Sequence, residues 1–312
     1  MSRGLGDVYK RQMQARHWSG ASGWGVSAGV LFAIWLCAAL VGARGDEPEA
    51  ETTRIQALLA QAREATAAVH DYTGVLVKRE RFGDEIVEQT IAFKFSRPFK
   101  VYLGFIEPHE GREGIYVRGW NDNKIRLHRG APFDFNVSSY PRSRVAMRDN
   151  HYPITSFGVE RMLDFIAQNV QRGIRRGDAK FALSDGGLVD GEPTWCIEIN
   201  TEPRKGRDVT VRADENLWQL AKRTRQNMYV ILHHNDEVDS PTDVREGQRV
   251  FVPYHYASRG KYFISKRSLL AVKAVSWDHE GRFYESYEYT KLQLNPGLTD
   301  ADFDPDNEEY GF

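Results

Sequence analysis

The sequence predicts an α+β protein in which an antiparallel sheet with two packed helices is interrupted, late in the chain, by a small strand-helix-helix-strand unit. Three observations carry this reading. Between 72 and 129, five segments rich in β-branched and aromatic residues follow one another with turn signals between them. Helix-period segments stand on either side of that region, at 51–70 and after Ser156. From 209 to 253 the apolar period passes from 2 to 3.6 and back to 2.

The chain starts with MSRGLGDVYKRQ, which resembles translated adaptor sequence, so the expected natural start is Met13. Weakly basic Arg16 and His17 then precede an apolar run at 26–41, and Val41-Gly42-Ala43 offers small residues for signal-peptidase cleavage. Residues 1–43 are therefore expected to be a signal peptide, and the product to be exported to the periplasm or cell envelope. If uncleaved, 24–43 is just long enough to serve as an N-terminal membrane anchor. Leu36 precedes Cys37 where a lipoprotein signal needs a small residue, which argues against lipidation. Residues 1–43 hold four basic residues and one acidic residue, leaving 38 Lys+Arg against 42 Asp+Glu and a net charge near −4. No polybasic nucleic-acid surface is implied. Cys196 is then the lone thiol, so stability must come from a packed core.

Beyond an acidic leader with Pro48, Ile55, Leu58, Leu59, Ala62 and Val69 share one side of a helix over 51–70. Strands are expected at 72–82, 86–96, 99–106, 114–120 and 124–129, separated by Gly83-Asp84, Arg97-Pro98, the polar 107–113 segment and Asn121-Asp122-Asn123. Val87, Ile91, Phe93 and Phe95 mark their inward face. Pro132, Pro141 and Ser138-Ser139 predict a long loop over 131–152. A helix should start near Thr155-Ser156, carry Val159, Met162, Leu163, Ile166 and Val170 at helical spacing, and end at Gly173. Strands resume at 180–183 and 194–200, with turns at Gly186-Gly187 and Asp190-Gly191, and again at 260–265, 270–277 and 282–292.

Between these strands, Val209 and Val211 alternate with polar residues, and Asp214 stands where a helix N-cap is expected. Leu217, Leu220 and Ala221 give a narrow apolar stripe, Met228, Ile231 and Leu232 repeat it, and Val250 and Val252 close a βααβ unit. The residues DENLW at 214–218, Asn235, Ser240-Pro241, EGQR at 246–249 and Pro253 resemble the LysM module. That resemblance implies binding to N-acetylglucosamine glycans such as peptidoglycan, in a groove between two loops. The corresponding residues are Asp214, Glu215, Asn216 and Leu217 on one side, and Asp239, Ser240, Pro241, Thr242 and Asp243 on the other. Ala213 departs from the module's usual Gly. Trp218, an aromatic on an apolar helix face, is expected in the unit's core.

YTGVLVKRERF at 72–82, SRPFKVYLGF at 96–105, REGIYVRGWNDNKIRLH at 112–128 and LNPGLTDADFDPDN at 294–307 resemble the bacterial family called domain of unknown function 1571. The order of elements, with a late strand leading to a Phe303 plug, is also similar to the lipoprotein-carrier half-barrel. That likeness implies a curved antiparallel sheet at 44–206 and 254–312, with 207–253 inserted. It also implies a hydrophobic concavity for a lipid or lipoprotein partner, with Phe93, Phe95, Val101 and Leu103 as lining residues.

Catalytic and metal motifs are weak. The acidic tail at 300–307 has Pro305 where a calcium loop needs Gly and Gly311 where it needs a bidentate Glu. Adjacent His233 and His234 diverge by about 100 degrees on a helix and read as surface residues. His109, Glu110 and Glu113 read as a solvated turn, and Asp134, Ser138, Ser139 and His151 are only sequence neighbours, which is poor evidence for a triad. The expectation is a non-catalytic envelope protein with no metal and no cofactor that binds peptidoglycan or another N-acetylglucosamine glycan through the inserted unit, the alternative being a lipid or lipoprotein carrier or sensor that uses the concavity.

Overall fold

Residues 47–130 and 134–312 are described by a computed structural model. The expected signal peptide, 1–43, lies outside the described residues. Helix α1(Glu47–Ala67) buries Ile55, Leu58, Leu59 and Ala62, the stripe its 3.6 period demands. Strands β1(Asp71–Phe82) and β2(Glu85–Ser96) pair throughout as a hairpin, turned at Gly83 with φ 61°. The meander continues through β3(Lys100–Glu107), β4(Glu113–Val117) and β5(Ile125–His128).

The expected loop over 131–152 instead contains a further strand, β6(Asn136–Ser139), paired to β5 through Leu127 and Val137. Its sequence, NVSS, is too short and polar to register as a strand, and it forms only because the β5 edge offers backbone partners. Helix α2(Val159–Arg176) follows and buries Met162, Leu163, Ile166 and Val170. It runs past Gly173 and ends at Gly177, whose φ of 67° satisfies the left-handed cap. Gly173 is required for a different reason. A Cβ there would meet Ala179 Cβ at 2.6 Å and the Phe181 ring at 2.7 Å, so it lets the helix lie on the next strand.

That strand, β7(Ala179–Val189), pairs with β8(Glu192–Thr201) around Asp190-Gly191. Gly186-Gly187 is a bulge within β7 and no turn, since the register shifts between Asp185 and Gly187 and pairing resumes. The chain then leaves the sheet. β9(Gly206–Thr210), α3(Leu217–Thr224), α4(Met228–His233) and β10(Arg249–Pro253) form the strand-helix-helix-strand unit, with β9 and β10 paired in a two-stranded sheet of their own. The ends of the unit meet, Gly206 opposite Pro253, as insertion between two scaffold strands requires. Its core is separate: Val211, Leu217, Leu220, Met228, Ile231 and Val250 are buried against one another. Asp214 is not the N-cap. It takes φ 57° in the turn, and Asn216 caps α3, accepting from Trp218 N and Gln219 N in a capping box with Gln219.

Strands β11(Arg259–Ser265), β12(Ala271–Trp277) and β13(Phe283–Leu294) complete one open 11-stranded antiparallel sheet, ordered β6-β5-β4-β3-β2-β1-β13-β12-β11-β8-β7. A single apolar core joins α1 and α2 to strands of both halves, from Phe95 and Tyr116 to Ile197 and Ile264. The sheet therefore wraps the two helices as the half-barrel expectation requires. Phe303, at 4% exposure, is plugged under the sheet end, with Lys94 and Asp302 paired beside it at 2.9 Å. Among the described residues no helix is long and apolar enough to cross a membrane.

Candidate functional site

Core packing fills only part of the concave face. Residues of β1 to β5, α2 and the 142–157 segment enclose a cavity of about 1650 Å³. Its floor is made by alternate residues of neighbouring strands: Leu76, Ile91, Leu103, Phe105, Ile125 and Leu127. Phe157, Met162 and Phe165 form the helical side. Of the four residues expected to line a lipid pocket, only Leu103 lines this cavity. Phe93, Phe95 and Val101 are 2%, 3% and 0% exposed, packed in the apolar core, the first two against the segment that leads into α2. There Phe93 meets Phe157 at 5.1 Å, Phe95 stacks on Tyr72 at 4.9 Å, and Tyr72 Oη receives the Val159 N–H at 3.0 Å.

The innermost wall is polar. Lys78 and Glu80 alternate on the inward face of β1, where Leu76 precedes them, and both are buried. Lys78 Nζ donates to Glu80 Oε2 at 2.9 Å, to the Asp149 carbonyl at 2.9 Å and to Asn150 Oδ1 at 2.6 Å. Glu80 also accepts from the Tyr287 hydroxyl, and Glu285 accepts from the Tyr256 hydroxyl at 2.6 Å. His151 completes the network against Glu285 Oε2 at 2.9 Å. Burial alone would raise the Glu80 pKa, but Lys78 and His151 hold it below the usual carboxylate range. Burial, and next the Glu285 charge, push Tyr152, Tyr256 and Tyr287 well above the ordinary phenol value. Two cations thus face two carboxylates with hydrogen bonds throughout, a neutral and internally consumed set. The sequence held a signal for it that the strand reading passed over: Lys78, Glu80 and Glu285 sit at inward strand positions where apolar residues are expected.

The imagined triad does not assemble. Ser138 bonds Asn121, Ser139 bonds Ser143, and His151 is held by Glu285 and the Arg81 carbonyl.

The inserted unit reaches the mouth of the same cavity. Asp239, Ser240, Pro241 and Thr242 line it together with Trp218 and Tyr229. Trp218 is half-buried and packs against the unit's core as expected, while its ring meets Tyr229 edge-on at 5.8 Å and carries the Arg142 guanidinium at 4.9 Å. The two expected sugar loops do lie side by side, joined by Leu217 N–H donating to the Pro241 carbonyl at 2.9 Å. Several of their side chains are already engaged. Glu215 pairs with Arg223 at 2.6 Å, Asn216 caps α3, Leu217 is fully buried, and Asp214 and Asp243 are exposed.

One cluster among the described residues has metal-ligating spacing: His233, Asp278 and Glu280. Its carboxylates are neutralised already, Asp278 by Arg282 Nε at 2.8 Å and Glu280 by Arg204 at 2.5 Å. His234 is not the surface residue expected, since its Nε2 is buried without a partner.

The family described as Protein of unknown function (DUF1571) matches residues 69–218 and 248–312, leaving 219–247 unmatched. No curated protein matches the chain. Among solved structures, a DUF1329 family protein from Desulfovibrio piger is 11% identical, with a TM-score of 0.34 over 82% of this chain and 97% of that one. A putative outer membrane lipoprotein-sorting protein domain from Vibrio parahaemolyticus is 10% identical, with a TM-score of 0.32 over 79% of this chain and 94% of that one. The Mycobacterium tuberculosis lipoprotein LppX is 13% identical, with a TM-score of 0.36 over 78% of this chain and 98% of that one. At scores this low no residue role or activity transfers from them.

Proposed function

The chain belongs to the DUF1571 family, whose description names no activity, and from that premise we propose an exported, non-catalytic binding protein that holds the acyl part of a lipid or lipoprotein in its cavity. The single observation that carries this is the cavity itself. Its volume of about 1650 Å³ exceeds the roughly 300–1,000 Å³ of ordinary small-ligand pockets, and its floor is aliphatic and aromatic. An exposed apolar concavity of that size costs solvation free energy unless a ligand covers it. Catalysis has little support, because the ionisable groups of the inner wall already satisfy one another.

The test is native mass spectrometry of protein purified without detergent, followed by delipidation and uptake of a fluorescent fatty-acyl probe. Acyl ligands should co-purify, and Leu127→Trp, which fills the floor, should lower probe uptake at least tenfold. Absence of any acyl ligand, with probe uptake indifferent to Leu127→Trp, overturns the reading.

A second reading concerns the inserted unit, which resembles LysM and would dock the protein on peptidoglycan or another N-acetylglucosamine glycan. It is supported by the unit's own core and by the gap in the family match over much of it. Because Glu215, Asn216 and Leu217 serve the unit's own fold, sugar contact would fall on Asp214, Asp243 and the backbone of 239–243. If the purified protein stays in the supernatant while a control binder pellets with insoluble peptidoglycan, this reading fails.

A further inference from the structure

Part of the cavity lining is basic. His109, Arg112, Arg129 and Arg148 all contribute to it, and Asp149 is the carboxylate beside them. The backbone builds this convergence. Gly130, at φ 66°, approaches Gly111, at φ 77°, so closely that a Cβ on Gly130 would meet the Gly111 carbonyl carbon at 2.8 Å and Arg112 N at 3.1 Å. The neighbours of those glycines, Arg112 and Arg129, are thereby brought together.

Like charges placed this way repel, and burial adds to the effect. Burial, and next Arg129, hold the Arg112 guanidinium below its usual basicity, while burial, and next Arg112, lower the His109 pKa. The one ion pair in the group, Arg148 with Asp149, is long at 3.9 Å. Among the described residues neither Arg112 nor Arg129 has a carboxylate within salt-bridge reach. Arg112 Nε is buried with no hydrogen-bond partner, an omission that leaves a charged donor desolvated. The guanidinium instead lies over Phe105, 5.6 Å from the ring centre, at the border between the cations and the apolar floor.

An unpaired forked donor next to an acyl-sized apolar floor fits an amphiphile whose head carries negative charge. We propose that this cluster is a headgroup site for an anionic phospholipid, with the phosphate held by Arg112 and Arg129 and the acyl chains on Leu103, Phe105 and Leu127. The inference rests on the acyl-binding reading above and names the class of lipid.

It is tested with unilamellar vesicles of phosphatidylglycerol or phosphatidylcholine carrying the same acyl chains, lipid uptake by the full mature chain being counted by native mass spectrometry. Phosphatidylglycerol should be taken up about tenfold more than phosphatidylcholine. Arg129→Gln, and Arg112→Gln separately, should lower phosphatidylglycerol uptake about tenfold, toward the level of phosphatidylcholine, whose choline cation the intact cluster repels, while leaving the far-ultraviolet spectrum unchanged. Removing one of two repelling charges does not threaten the fold. Equal uptake of both lipids by the native chain overturns the headgroup site and leaves the acyl reading standing, whereas uptake of neither overturns both. In a parallel calorimetric titration, inorganic phosphate binding as tightly as phosphatidylglycerol would show a free-anion site and also overturn the proposal.

Discussion

His151 places Nδ1 2.9 Å from Glu285 Oε2 and Nε2 2.9 Å from the Arg81 carbonyl oxygen, so both ring nitrogens face acceptors and both must carry hydrogen. A buried imidazolium is the consequence. Burial alone would lower its pKa, but the Glu285 hydrogen bond and the charges of Glu80 and Glu285 outweigh it and hold the group above the ordinary histidine value.

The folded pKa of His151 is raised, so its contribution to stability is complete below the unfolded value of about 6.5 and is lost as pH rises through the folded value. Urea melts should therefore show stability falling as pH rises above about 6.5. Glu285→Gln should flatten that limb; an unchanged slope would mean the imidazolium is not formed.

The opposite dependence is expected from a second histidine pair. His234 Nδ1 donates to the Val230 carbonyl at 2.7 Å, and His279 Nδ1 accepts from the Arg204 N–H at 3.2 Å. Burial, then the neighbouring His234, push the His279 pKa down to about 4. Stability should be complete above pH 6.5 and fall by about 2–3 kcal/mol as pH drops toward 4, because the unfolded chain binds the proton more readily. Melts of His279→Gln should lose that acid limb, and their retaining it would assign the limb elsewhere.

Lys78 is the cation inside the inner wall, and its removal strands Glu80. Lys78→Met should cost about 3–5 kcal/mol, whereas Lys78→Met with Glu80→Gln should recover most of it. Equilibrium unfolding of the single and double variants gives the coupling. Additive losses would show that the two side chains act independently.

Gly173→Ala sets two effects against each other. Helix propensity favours alanine by about 1 kcal/mol, while the collision with Ala179 and Phe181 costs about 1–3 kcal/mol as overpacking. The steric cost should win, lowering the melting temperature; a rise would mean that β7 yields without loss.

Much of the scaffold was legible in one dimension. The β1–β2 hairpin follows from alternation and Gly83-Asp84, and α2 from Met162, Leu163, Ile166 and Val170. The strand-helix-helix-strand order over 209–253 was equally clear, from its two apolar stripes and closing valines. The misses share a cause. β6, the length of β7 through Gly186 and the role of Gly173 each depend on a neighbour distant in sequence, so no local period could report them.

The candidate site was less legible. Leu103 lines the cavity, whereas Phe93, Phe95 and Val101 have the same strand pattern and are buried in the core. Trp218 packs against the unit's core, as its apolar helix face suggested, and only the tertiary arrangement also brought its ring to the cavity mouth.

The sequence by itself determined which segments are strands and helices and where the chain is interrupted, because those properties are set by hydrophobic period and turn chemistry within a few residues. Only the tertiary structure decided where apolar surface is left uncovered and which charges meet. Arg112 and Arg129 lie on separate turns joined by two touching glycines, and Lys78, His151 and Glu285 come from three distant segments. Burial and electrostatics are properties of neighbours in space, and a linear pattern carries no record of them.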